Sequence, residues 1–231
     1  PAIVKTVVTS ELADCIAGKY KVTTFDTLTG FKYIAELMQK FEDTKEYNFL
    51  FGYEESYGYL AGTFVRDKDA VIASMLICEM AAYYKGQGKT LVDVLAEIYD
   101  EHGYYIEETL SLTFSGLTGQ SKMKAIMEYF RENKLNFLAG KKIPAIIDYK
   151  LSISCDLING TTERISYPKS DVLKFSFEDG SWLVLRPSGT EPKLKVYFSI
   201  NGKSKDEATE NLEKIKNEVL NMIDRIQINL G

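Results

Sequence analysis

The strongest constraint on this chain is the alternation of two periodicities in its first hundred residues. The β-branched run Ala2–Ser10 (AIVKTVVTS) is followed by a stretch from Glu11 to Gly18 with helix-forming composition, then by a second extended run, KVTTFD. From Thr29 onward, Phe31, Ile34, Ala35, Leu37, Met38 and Phe41 recur at the spacing of one helix face, and YNFLFG reads as a short buried strand. Strands that alternate with helices must be joined by crossovers, which specifies an α/β layer arrangement. AVIASMLICEMAAYY is expected to be a buried core helix capped by Asp67 or Asp69, since it is too short to span a bilayer. KGQGK ends it, and a further helix runs from Leu91 to Glu101.

The pattern changes near Gly103. YYIEETLSLTF reads as a strand and GQSKMKAIMEYFREN as a helix, followed by strands expected at 144–156, 172–178, 182–186 and 193–200. Ser204 and Glu207 have the spacing of a capping box, and Ala208, Leu212, Ile215, Val219, Ile223 and Ile226 give the last helix an apolar stripe. Residues 1–103 are therefore expected to form an α/β domain, a mixed sheet with helices on both faces. Residues 104–231 are expected to form an α+β domain, an antiparallel sheet flanked by helices.

Composition narrows the function. The net charge of −5 comes from interspersed acids and bases, without the basic patch of a nucleic-acid footprint. Cys15, Cys78 and Cys155 are widely spaced and odd in number, so they read as reduced thiols of a cytoplasmic protein. With His102 as the single histidine, expected to serve structure near a helix end, neither a histidine-based zinc site nor a Ser-His-Asp triad is supported. No leader and no membrane span is read from the sequence.

Three stretches have the chemistry of a site. In RPSGTEPKLKVYF, Arg186 offers a planar fork for two phosphate oxygens, Ser188 and Thr190 offer hydroxyls, and Gly189 lets backbone N–H groups approach an anion. The same residues equally suit a β-hairpin turn. In GYEESYGYL, an extended backbone would put Glu54 and Ser56 on one side and Glu55 on the other, with a carboxylate able to accept from vicinal sugar hydroxyls. A solvated acidic turn is the ordinary alternative. In VRDKDA, Arg66 and Lys68 could supply cationic charge, although such composition is common before helices.

Taken in order, TGFKYI (Thr29–Ile34), GYEESYGYL (Gly52–Leu60), RDKDA (Arg66–Ala70) and RPSGTEPKLKVYF (Arg186–Phe198) resemble the α-D-phosphohexomutases, the phosphoglucomutase/phosphomannomutase family. The resemblance implies a third and a fourth domain of a four-domain enzyme. It implies that Glu54, Ser56 and Thr29 contact the sugar, and that Arg186, Ser188, Gly189, Thr190 and Lys68 serve the phosphate. The family's chemistry is an isomerisation of hexose 1-phosphate and hexose 6-phosphate through a phosphoserine and a bisphosphorylated sugar. Mg²⁺ and glucose 1,6-bisphosphate are its expected cofactors.

The family's Ser-His-Asn and Asp-x-Asp-x-Asp loops do not occur in these 231 residues, and the chain opens on Pro1. The expectation is a C-terminal piece without catalytic serine or metal ligands, inactive alone, whose partners are a phosphosugar and the missing N-terminal domains. Tyr57 and Tyr59 follow Ser56 where many members carry a histidine, which leaves a general base from this loop unassigned. The alternatives are a stand-alone phosphosugar-binding module, or a phosphopentomutase or phosphoglucosamine mutase of the same family.

Overall fold

The computed structural model describes residues 1–114, 116 and 118–228, which divide into two compact units, Pro1–Gly103 and Tyr104–Gly231. In the first, the chain runs β1 (Ala2–Thr6), α1 (Leu12–Lys19), β2 (Thr23–Thr27), α2 (Phe31–Thr44), β3 (Phe49–Tyr53), β4 (Tyr59–Ala61), α3 (Ala70–Lys85) and α4 (Leu91–His102). The sheet order is β2-β1-β3-β4, with β1 parallel to both neighbours and β4 antiparallel to β3.

Strand alternation sends successive side chains of β1 to opposite faces. Ala2 and Val4 meet Phe31, Ile34, Met38 and Phe41 of α2, together with Phe49 and Leu60. Lys5 points the other way and pairs with Asp14 of α1, so α1 and α2 cover opposite faces. The chain leaves β1 for β2 on one side and returns past it to β3 on the other. The crossover direction thus reverses at β1, and the carboxyl ends of β1 and β3 flank the crevice where such sheets place ligands.

The helix α3 departs from expectation. Asp69 caps it, accepting from the N–H groups of Val71 at 2.9 Å and Ile72 at 3.1 Å, whereas Asp67 turns to Lys68. It is not a core helix, because none of its residues is buried and Val71, Met75, Ile77, Met80 and Tyr83 are exposed. The physical reason is its place at the edge: it packs on the three-residue strand β4 and on α4, which together cover one side of it.

The second unit runs β5 (Tyr104–Thr113), α5 (Gly119–Glu132), β6 (Phe137–Leu138), β7 (Lys141–Lys142), β8 (Ala145–Asp148), β9 (Ile153–Asp156), β10 (Thr161–Arg164), β11 (Leu173–Ser176), β12 (Trp182–Pro187), β13 (Lys193–Gly202) and α6 (Lys205–Ile228). Seven strands form an antiparallel sheet in the order β10-β9-β8-β11-β12-β13-β5. Met123, Ile126 and Phe130 of α5 and Leu212, Ile215 and Val219 of α6 pack with Phe175, Leu183, Leu185, Val196 and Phe198 from the sheet. Half of the expected capping box of α6 forms: Ser204 Oγ accepts from Glu207 N at 3.2 Å, whereas Glu207 Oε2 accepts from Lys203 N at 2.8 Å, one residue before the cap, rather than from Ser204 N. The stretch 144–156 is two strands rather than one, broken at Ser152 in the left-handed region with φ 56°.

Candidate functional site

In the first unit the stretch GYEESYGYL folds as a tight turn between β3 and β4, closed by a hydrogen bond from Glu54 N to Gly58 O of 2.9 Å. The expected alternation of Glu54 and Ser56 fails here because the backbone is not extended. Tyr57 instead takes a left-handed conformation at φ 63° and stands in solvent, beside an exposed Ser56. Glu54 is buried, and its Oε1 accepts from the backbone N–H of Gly30 at 2.8 Å. Gly30 immediately precedes α2, so the carboxylate lies at a helix N-terminus, where negative charge is favoured.

Lys68 meets this carboxylate across Gly58. A Cβ on Gly58 would fall 2.5 Å from Lys68 Cδ and 3.1 Å from Glu54 Oε2, so the glycine makes room for both side chains. The Lys68 ammonium also sits 5.2 Å from the centre of the Phe31 ring, and its hydrogen bond to Asp67 raises its pKa. Thr29, half-buried, precedes Gly30 in the same loop. Structure therefore gathers Thr29, Glu54 and Lys68 at the end of the sheet where β2 and β3 finish. Arg66 is turned elsewhere, to Glu42 at 2.5 Å and the Thr63 carbonyl.

Sequence reasoning missed the neighbouring loop after β1. Glu55 accepts from Thr6 Oγ1 at 3.0 Å, and that hydroxyl lies 2.7 Å from Thr9 Oγ1. Beneath them Lys5 is fully buried, with Glu11 at 2.8 Å, Asp26 at 2.8 Å and Asp14 at 3.2 Å. Burial opposes the Lys5 charge, but Asp26, Glu11 and Asp14 together outweigh it and raise its pKa. Burial, then a hydrogen bond shared with Glu11, pushes Asp14 up to about 6 despite the Lys5 charge. The available signal was a lysine inside an otherwise β-branched run, which marks a buried cation needing partners.

In the second unit, RPSGTEPKLKVYF is the end of β12, a turn, and most of β13. The Ser188 N–H donates to Lys193 O at 2.7 Å, while Ser188 Oγ accepts from Thr190 N at 3.4 Å and Glu191 N at 3.3 Å. Those bonds leave the Ser188 hydroxyl proton for another acceptor. One Arg186 nitrogen donates to the Tyr197 hydroxyl at 3.3 Å. A Cβ on Gly189 would meet nothing within 4 Å, so packing does not demand a glycine there. Arg186, Ser188 and Gly189 line a cleft of about 570 Å³, whereas Thr190 is exposed beyond its lining. Among the described residues no group of three or more His, Cys, Asp or Glu is placed to hold a metal ion.

Comparison with known proteins bears on the family and the fold. Residues 1–102 match the domain described as phosphoglucomutase/phosphomannomutase, alpha/beta/alpha domain III, and residues 131–218 match the C-terminal domain of the same family. The chain belongs to the phosphoglucomutase/phosphomannomutase family and carries its third and C-terminal domains. It is 40% identical over 221 residues to a phosphoglucomutase of Staphylococcus haemolyticus, a match covering 96% of this chain and 38% of the relative. A phosphoglucomutase of Staphylococcus saprophyticus is 38% identical over 211 residues, covering 91% of this chain and 38% of its own length. The chain thus spans under two-fifths of the curated relatives it matches. The crystal structure of parafusin, a phosphoglucomutase from Paramecium in its open form, has the same fold, with a TM-score of 0.65 at 20% identity, over 97% of this chain and 38% of that one.

Proposed function

We propose that this chain is the substrate-binding C-terminal part of an isomerase that interconverts hexose 1-phosphate and hexose 6-phosphate. The observation that carries the reading is the buried Glu54 carboxylate, fixed on the α2 N-terminus and set beside Lys68 across Gly58. A carboxylate already oriented by one backbone donor retains lone pairs for sugar hydroxyls, and the nearby ammonium suits a phosphate ester. In this reading Glu54, Ser56 and Thr29 hold hydroxyls, with Lys68 serving the phosphate. Arg186, Ser188, Gly189 and Thr190 hold the phosphate that is not reacting.

The chain's residues bind and orient, and the phosphoryl group moves to and from a serine outside them. Positioning and charge stabilisation are the main levers of such chemistry. Mg²⁺ and glucose 1,6-bisphosphate belong to the proposal for the longer enzyme. Among the described residues no group of three or more His, Cys, Asp or Glu offers a ligand set for the metal. Alone, the chain is read as inactive. Its partners are the phosphosugar and the rest of the longer protein, and the uncovered apolar side of α3 is a surface of the kind such a partner buries. A cytoplasmic setting is supported by Cys15, Cys78 and Cys155 standing as thiols rather than in disulfides. Among the described residues no helix is long and apolar enough to cross a membrane.

Titration of the isotope-labelled chain with glucose 1-phosphate tests the reading. Amide shifts at Gly30, Glu54 and Lys68 are expected; their absence at saturating ligand, with inert behaviour of glucose 1,6-bisphosphate as well, would overturn it.

A further inference from the structure

The turn between β3 and β4 is tied down at two neighbouring glutamates, and they grip different loops. Glu54 Oε1 accepts from Gly30 N at 2.8 Å, in the connection from β2 to α2. Glu55 Oε2 accepts from Thr6 Oγ1 at 3.0 Å, at the carboxyl end of β1. The Thr6 support is itself fixed. Thr6 is fully buried as the last residue of β1, Val7 N donates to Thr27 O at 2.8 Å beside it, and Thr9 N donates back to Thr6 O at 3.0 Å.

Donor counting gives the hydroxyls a direction. An ionised carboxylate only accepts, so the single Thr6 hydroxyl proton goes to Glu55, and the 2.7 Å contact with Thr9 is then filled by the Thr9 proton. The chain runs from Thr9 to Thr6 to Glu55, and both hydroxyl residues are buried. Bonds in such a series polarise one another and end here on a charge, which makes them stronger than an isolated neutral pair. The turn needs that hold. Tyr57 sits at φ 63°, a region unfavourable for a bulky L residue, and such a conformation persists where its surroundings over-determine it. Because Tyr57 is exposed, packing of its own ring supplies little of the restraint.

We propose that Glu55 is a positioning residue: held by the Thr9–Thr6 hydroxyl chain, it fixes the β3–β4 turn in the form that delivers the Glu54 carboxylate to the Gly30 N–H and to a bound sugar. The inference rests on the reading of Glu54 as a sugar-binding carboxylate and extends it to three residues that act through it. Two adjacent acids thereby divide the work. Glu54 keeps lone pairs for ligand hydroxyls, and Glu55 orients its neighbour.

The test compares Thr6→Val, which keeps the shape and removes the donor, with Glu55→Ala and Glu55→Gln in the isotope-labelled 231-residue chain. The readout is the Gly30 amide proton, which reports its bond to Glu54 rather than the substitution itself. In Thr6→Val and Glu55→Ala this proton should move upfield, and the Glu54 amide should exchange faster with solvent. Glucose 1-phosphate should bind these two variants roughly two- to ten-fold more weakly, the worth of one hydrogen bond. Glu55→Gln keeps an acceptor for Thr6 and should stay close to wild type. Glu55 is half-buried on the turn, so Glu55→Ala carries the test if the buried Thr6→Val fails to fold. A wild-type Gly30 signal in the variants would overturn the positioning role and leave the reading of Glu54 intact. An affinity loss with Gly30 unmoved would overturn it equally, since Glu55 would then be touching the ligand. A Gly30 shift in the variants, with no response of the wild-type chain to glucose 1-phosphate, would uphold the clamp and overturn the sugar-binding reading alone.

Discussion

The Glu54 carboxylate and the Gly30 N–H are 2.8 Å apart, so the β3–β4 turn closes the N-terminus of α2 with a full negative charge. Glu55, its neighbour, is spent on the Thr6 hydroxyl. Glu54→Gln should therefore weaken glucose 1-phosphate binding by about 1.5–3 kcal/mol, because the amide keeps one acceptor and loses the charge. Glu55→Gln should cost less, since a neutral carbonyl still accepts from Thr6. Calorimetry on both variants compares them, and equal losses would remove the assignment.

Gly58→Ala is expected to dislodge Lys68 rather than unfold the turn. The new Cβ would lie 2.5 Å from Lys68 Cδ, the middle of a flexible stem that can swing into solvent. Stability should change by less than about 1 kcal/mol, while affinity for a phosphosugar falls. Thermal denaturation and ligand titration on one sample separate these; a large drop in Tm with intact affinity would contradict the argument.

Arg186→Lys should reduce phosphosugar affinity by roughly 1–3 kcal/mol, since a point charge cannot reproduce the guanidinium fork. Folding should hardly change, the Tyr197 contact being a single 3.3 Å hydrogen bond. A plain hairpin turn would show no binding effect at all.

Asp148→Ala should be among the most destabilising changes in the second unit. Asp148 is buried, accepts from Arg131 Nε at 2.6 Å and holds the N–H groups of Lys150 at 2.9 Å and Leu151 at 3.1 Å. Removing one partner of such a pair costs about 3–5 kcal/mol, readable as a fall in urea midpoint. A loss under ~1 kcal/mol would mean that the network is not structural.

Asp14 sets a pH dependence. Its carboxyl is held near 6 in the folded chain, above its unfolded value, so the folded state takes up a proton first as pH falls. Stability from this group therefore rises as pH drops through 6 and levels off below the unfolded value. Asp14→Asn should flatten that part of the profile in urea titrations at stepped pH. An unchanged slope would assign the dependence to other groups.

What could be read from the sequence follows the burial of apolar side chains. β1, β3, β12 and α6 announce themselves because their apolar residues recur at the period of the element that buries them. β10 does not: Thr161–Arg164 is exposed along its whole length and leaves no hydrophobic pattern. The position of α3 was equally hidden, since composition records how apolar a helix is and not how many neighbours it meets. At the site, the residue types of Glu54, Lys68 and Thr29 were legible. The turn at Tyr57 was not, because a left-handed tyrosine has no local signature of the sort glycine provides. Lys5 was visible as a misfit, but its three carboxylate partners come from Glu11, Asp14 and Asp26, which only the fold brings together.

The strand β5 pairs along its whole length with β13, from Tyr104 opposite Gly202 to Thr113 opposite Lys193. During synthesis the first strand of this unit therefore waits for the last one. Until Gly202 has left the ribosome, ten residues of alternating apolar character carry an unsatisfied hydrogen-bonding edge, the condition in which chains pair with the wrong strand. Folding of this unit is set by the arrival of its final strand, and a pause in translation between Thr113 and Lys193 would lengthen the interval in which a chaperone must shield β5.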